Sequence, residues 1–296
     1  MQTEKDLRNN SDIIWHYTSC DVFAQFMEGK TGFYATHFCF LNDSKEFEYK
    51  KDRFKTRVLP IVNKDIEEII GTETILKTKE RLIELKNKWN GVLMEYNDMY
   101  TLCFSNKADN LYHWCSYTPN GGYCIGFSKK RIEEKLKTSN KRTIDNYTLY
   151  TNTTDTGESY NVFMGDCVYE KEEDTSESIA GLLLKMDKYE GNEKLIICLH
   201  SALTKHSSFE DEKEFRIVLL GQSLRKKIEI IGNKPRVPLF GIEKGEICSL
   251  IEGVFVSPHG NKERNKLFAE LLREKHDCND LWGVYLSSSP YIGDGR

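Results

Sequence analysis

The chain has 296 residues, 39% of them hydrophobic and 30% charged, with 42 Lys+Arg against 46 Asp+Glu. A formal charge of -4 excludes a surface built throughout to neutralise phosphates, though not a local basic groove. Six Pro and 20 Gly exclude collagen-like and low-complexity chains, and 15 Phe with 15 Tyr exclude simple disorder.

None of the nine cysteines falls in a Cys-x-x-Cys pair, so no zinc knuckle or thioredoxin motif is present. Most sit beside apolar residues, as in Phe38-Cys39-Phe40 and Leu102-Cys103-Phe104, and read as unpaired core thiols of a reducing compartment. Residues Met1 to Asp6 lack a signal h-region, and no apolar run approaches the ~20 residues of a membrane span. The expectation is a cytoplasmic protein with no membrane partner.

In chain order, Ile13 to Tyr17 predicts a buried strand. Thr18, Ser19 or Asp21 then caps a short amphipathic helix through Val22, Phe23, Phe26 and Met27, ending near Gly29. Residues 32–36 predict a second strand. Phe40 to Ser44 is a turn. The stretch 64–98 carries apolar stripes at helical spacing and predicts a helical insertion at about 60–98. Met99 to Ser105 is a strand, Asn110 to Cys115 a short helix or turn, and Gly121 to Phe127 another strand behind a Pro119-Asn120-Gly121-Gly122 turn. Residues of about 128–160 are polar and read as loops, and Val162 to Tyr169 reads as a strand. Ile179 to Met186 and Leu195 to Leu203 read as helices. Glu214 to Leu220 and Val254 to Ser257 are strands, the latter followed by a helix over 261–275. Strands and helices mix without a βαβ rhythm, which predicts an α+β fold in a single domain spanning 1–296.

Four constellations carry chemistry. His16-Tyr17-Thr18 ends the first strand, where His can donate to a ligand hydroxyl and Thr can hold a phosphate or ribose; a satisfied core His is the alternative. Asn42, Asp43 and Glu46 crowd a turn, as a helix cap or as ligand-binding groups. Glu212, Glu214 and Arg216 alternate onto one strand face, where an acid and an arginine can orient a ribose and stabilise a cationic transition state; a solvated edge strand with a surface ion pair is the alternative. Tyr112, His113, Trp114 and Tyr117 precede the Gly121-Gly122 turn and can stack a flat ring or fill a core. No P-loop, Gly-x-Gly-x-x-Gly, His-Glu-x-x-His or Gly-x-Ser-x-Gly occurs. No metal site is expected.

Trp15 to Ser19, Leu41 to Phe47, Cys103-Phe104-Ser105 with Asp109, Trp114 to Phe127, Glu212 to Arg216, and Ser288 to Tyr291 occur in an order that resembles the bacterial domain-of-unknown-function family 2971. That family is in turn similar to ADP-ribosyltransferases of the His-Tyr-Glu type. The resemblance implies a split mixed sheet with flanking and inserted helices, and NAD bound as substrate without a metal. It gives His16 to the ribose, Tyr34 to the nicotinamide, and Glu214 to the catalytic glutamate, with Glu212 as rival. Trp114 and Tyr123 are further candidates to clamp the nicotinamide. It implies a toxin or phage-defence effector, with a nucleic-acid or protein acceptor and an antitoxin or defence-system partner. Lys129 to Arg142 and Arg225-Lys226-Lys227 are the basic stretches available to phosphates. An NAD glycohydrolase and a non-catalytic nucleotide or phage-component sensor are the competing readings.

Overall fold

The computed structural model describes residues 3–41, 98–136, 141–144, 147–153, 157–170, 198–199, 201–239 and 242–290. The helices expected at about 60–98 and 179–186, and the Asn42, Asp43 and Glu46 turn, lie outside the described residues. Of the helix expected at 195–203, residues 198–199 and 201–203 are described and helical.

Chain order is α1 (Glu4–Arg8), β1 (Ile13–Thr18), α2 (Cys20–Met27), β2 (Tyr34–His37), β3 (Met99–Ser105), α3 (Leu111–Tyr117), β4 (Tyr123–Ser128) and α4 (Lys129–Leu136). Strands β5 (Lys141–Ile144), β6 (Tyr147–Thr153), β7 (Ser159–Asp166), β8 (Val168–Glu170) and β9 (Thr204–His206) follow. Then come β10 (Glu214–Leu220), β11 (Glu229–Ile231), β12 (Lys234–Pro238), α5 (Ile247–Leu250), β13 (Ile251–Val256), α6 (Lys262–Lys275) and β14 (Gly283–Leu286). The architecture is α+β, with a mixed and mostly antiparallel sheet.

Local chemistry sets the element ends. Ser19 caps α2 by accepting from the Val22 amide, and Gly29 follows that helix at φ 64°. Asn261 caps α6 in the same way through Arg264. The polar stretch at about 128–160 is a correction: it forms α4, the β5–β6 hairpin and the start of β7. Ile132 and Leu136, one helical turn apart, bury one side of α4, while Leu149 and Tyr150 anchor β6. A few apolar anchors suffice because hairpin pairing of β5 with β6 and of β6 with β7 satisfies the intervening backbone.

The main sheet runs β14-β13-β4-β1-β3-β10-β7-β6-β5, with a branch through β2, β12 and β11. The branch point is β3. One edge of β3 pairs along its length with β10, from Glu214↔Ser105 to Leu220↔Met99. Its other edge is shared: β1 meets it at Trp15↔Ser105, and β2 meets it at Thr36↔Thr101 and His37↔Tyr100. Between these contacts the sheet opens. Strand β10 lies between β3 and β7 and is buried, so the solvated edge-strand reading of the Glu214–Arg216 segment is overturned.

One face of the sheet packs α2 and α6 over Ile14, Phe23, Phe33, Tyr123, Ile125, Phe127 and Trp282. The other gathers Trp15, Tyr17, Trp114, Cys124 and Phe255. Among the described residues no helix is long and apolar enough to cross a membrane. Among the described residues no disulfide is formed; Cys124, Cys167 and Cys278 are buried, but Cys39 is exposed and is not the core filler expected.

Candidate active site

The opening beside β3 leads into a cavity of about 640 Å³. That volume falls within the range of small-ligand sites. Its lining includes His16, Tyr17, Tyr34, Glu212, Glu214 and Arg216, six of the candidate residues. Register places most of them on one face: Trp15 opposite Ser105, Ser105 opposite Glu214, and Cys103 opposite Arg216. His16 belongs to the other face by alternation but reaches the gap in the β3 edge. There its ring is hydrogen-bonded to the Cys103 backbone and packs against Phe104 at 5.8 Å between centroids. Burial pulls the His16 imidazole down to about 4, and the Arg236 charge adds to the effect, so the ring is neutral at physiological pH.

Glu212 and Glu214 approach the cavity by different routes. A short 3-10 helix over Ser207–Glu212 ends at Lys213, which takes the left-handed conformation at φ 43° before β10 begins. The two acids therefore converge across a turn, not by plain strand alternation. Lys205 Nζ donates to both carboxylates, at 2.9 Å to Glu214 Oε2, and Arg216 Nη2 donates to that same Oε2 at 2.9 Å. Arg216 Nη1 donates to the Ala202 carbonyl at 2.6 Å. Lys205 is 5% exposed, Glu214 6% and Arg216 1%.

This environment drives the two acids apart. Burial pushes Glu214 up, but Arg216 and Lys205 outweigh it and hold the carboxyl down to about 2. Burial also pushes Glu212 up, and there Lys205 offsets only part of the effect. A strongly acidic carboxylate thus sits beside one whose proton affinity is raised.

Helix α3 closes the wall. Glu212's carbonyl accepts from Ser105 Oγ at 2.8 Å, and it lies 2.9 Å from His113 Nε2. A carbonyl only accepts, so that nitrogen carries the proton and Nδ1 is left as an acceptor, buried and unpartnered among the described residues. Tyr112 OH donates to Glu212 Oε1 at 3.3 Å. Tyr112, Ser116 and Tyr117 complete this side of the lining.

Three candidate residues are placed elsewhere. Trp114 does not line the cavity: it is fully buried, donates to Asp109 at 2.7 Å and packs edge-on to Tyr17 at 4.9 Å. Asp109 also holds Arg8 and the Ser288 amide, so this aromatic ties the C-terminal segment down. Tyr123 points to the opposite face, against Phe23, and donates to the Asn265 carbonyl at 2.7 Å. Thr18 is buried beside β4 and does not line the cavity. In each case the covering element came from far along the chain. Tyr17 lines the cavity but works as a pillar: its hydroxyl donates to the Lys107 carbonyl and accepts from the Asn110 amide. Leu41, the last described residue before the Asn42, Asp43 and Glu46 turn, is also part of the lining.

Sequence reading missed Lys205, Arg236 and Cys103. Lys205 sits on the three-residue strand β9, which pairs with β8 and carries no periodic signal of its own. Arg236 comes from the short β12, which itself carries prolines at 235 and 238.

Residues 113–217 match the family model described as protein of unknown function (DUF2971). No curated protein and no solved structure matches the chain. The matched segment runs from His113 to Ile217 and includes Lys205, Glu212, Glu214 and Arg216. The portion of the chain that builds the carboxylate end of the cavity is thus similar to that family; of the ordered motifs, Trp114 to Phe127 and Glu212 to Arg216 fall within the match.

Proposed function

We propose that the protein is an NAD-dependent ADP-ribosyltransferase. The observation that carries this reading is the convergence of His16, Tyr34 and Glu214 on one cavity from β1, β2 and β10. NAD enters as substrate. Tyr34 supplies a flat ring for the nicotinamide, and neutral His16 offers hydrogen bonding to the ribose without placing a positive charge beside the cationic ring.

Glu214 stays anionic while the glycosidic C–N bond breaks. Nicotinamide leaves with the bonding electron pair, and the carboxylate stabilises the ribosyl cation left behind. Arg216 and Lys205 hold the carboxylate in place. Glu212, with its raised proton affinity, takes the proton of the acceptor as the new bond to the anomeric carbon forms. The acceptor is a nucleic-acid base or a protein side chain. The toxin or phage-defence setting follows from the family resemblance.

The test is incubation of the full chain with NAD labelled on the adenylate, together with RNA, DNA or lysate. Nicotinamide release and a labelled adduct are expected, with a loss of about 10²–10³ in rate for Glu214→Gln. Tyr34→Ala, in which the buried ion pairs are intact, should weaken NAD binding and so guards against a folding artefact. Release of free labelled ADP-ribose with no adduct makes the protein the glycohydrolase instead. A folded wild-type chain that binds no NAD and releases no nicotinamide overturns both.

A further inference from the structure

The cavity has two chemically distinct ends. At one, the cations Lys205 and Arg216 are matched by Glu212 and Glu214. At the other, the charged lining residues are Lys234 and Arg236, with no carboxylate among the described lining residues there.

Strand register organises this second end. Arg236 lies opposite Thr36, and Thr36 opposite Thr101, so the three occupy one row across β12, β2 and β3. Directly paired residues share a face, and adjacent strands are ~4.8 Å apart, so the row spans roughly 10 Å. All three line the cavity. The Thr101 hydroxyl is buried without a hydrogen-bond partner among the described residues, and so is Arg236 Nε. A guanidinium and two hydroxyls in a row, with two buried polar atoms unpartnered, match the oxygens of a phosphoryl group.

We propose that Arg236, Thr36 and Thr101 form a phosphoryl-binding subsite that holds the diphosphate of the ligand whose ribose faces Glu214. Thr101 and Ser105 are four residues apart on β3, about 13 Å along the strand. Side chains reaching in from both ends leave the space of a ribosyl diphosphate between them. The assignment to a dinucleotide rests on the reading of the cavity as an NAD site, whereas the phosphoryl chemistry stands on the row itself.

Calorimetry on the full chain, with ADP-ribose, inorganic pyrophosphate and nicotinamide riboside as separate probes, tests it. ADP-ribose and pyrophosphate should both bind, more weakly as salt rises. Arg236→Ala should weaken ADP-ribose by at least about tenfold and nicotinamide riboside, which has no phosphate, much less. Arg236→Lys should restore part of the loss, and Thr101→Val, close to isosteric, should lower ADP-ribose affinity by several-fold. A wild-type chain that binds neither phosphate ligand, or an Arg236→Ala chain that binds both as wild type, overturns the proposal. Arg236-dependent pyrophosphate binding without nicotinamide release keeps the subsite and rejects the transferase. Nicotinamide release with a KM for NAD unaffected by Arg236→Ala does the reverse.

Discussion

Replacing each buried glutamate by glutamine separates the two acids thermodynamically. Glu214 is held at about 2 against an ordinary value of 4.5. At ~1.4 kcal/mol per pH unit, its ionisation contributes about 3 kcal/mol to folding. The folded value lies below the unfolded one, so this stability is complete above pH 4.5 and is lost as pH falls toward 2. Glu214→Gln also leaves Arg216 and Lys205 buried without their shared carboxylate, and breaking such a pair costs ~3–5 kcal/mol. Glu212 has the opposite sign. Its folded value is raised, so its ionisation costs stability instead of adding it, and that cost is relieved as pH falls. Glu212→Gln removes that charge while Lys205 keeps Glu214, so the expected change at pH 7 is within ~1 kcal/mol of wild type. Urea unfolding followed by circular dichroism at pH 7 and pH 3 measures both. Glu214→Gln should be about 3 kcal/mol less stable at pH 7, with a narrower gap at pH 3. Equal losses for the two variants at pH 7, or a gap that does not narrow in acid, would refute the assignment of the charged pair.

Three further outcomes follow from the packing. His16, held neutral by burial, should show no ring titration by NMR between pH 8 and pH 5.5, and its contribution to stability should fall away as pH drops from 6.5 toward 4. Gly122→Ala would drive a Cβ into the Thr18 carbonyl oxygen and within 2.9 Å of Thr118 Cγ2, and should cost about 1–3 kcal/mol in thermal or urea unfolding. Tyr123→Phe should lose about 1 kcal/mol with its bond to Asn265 and leave NAD-dependent nicotinamide release unchanged, because Tyr123 does not reach the cavity.

Much of the scaffold was legible in the sequence. Apolar runs located β1, β3 and β10, and a capping residue beside Val22, Phe23, Phe26 and Met27 located α2. Glu212, Glu214 and Arg216 stood out because acidic and basic residues abut an apolar strand. Those signals are local, carried by residues a few positions apart.

The site was not local. Whether β10 was an edge or a centre depended on β3 and β7, which start 115 and 55 residues before it in the chain. Trp114 and Tyr123 looked like stacking residues until their distant partners Tyr17 and Asn265 turned them into packing. Lys205 acquires its role only because the parallel β8–β9 pair brings it against the carboxylates. Sequence by itself determined that β1, β3, β4, β10 and β13 exist and which of their residues carry charge. Tertiary structure decided which charges are buried together, because burial and register are set by strands that meet across the sheet and not by neighbours along the chain.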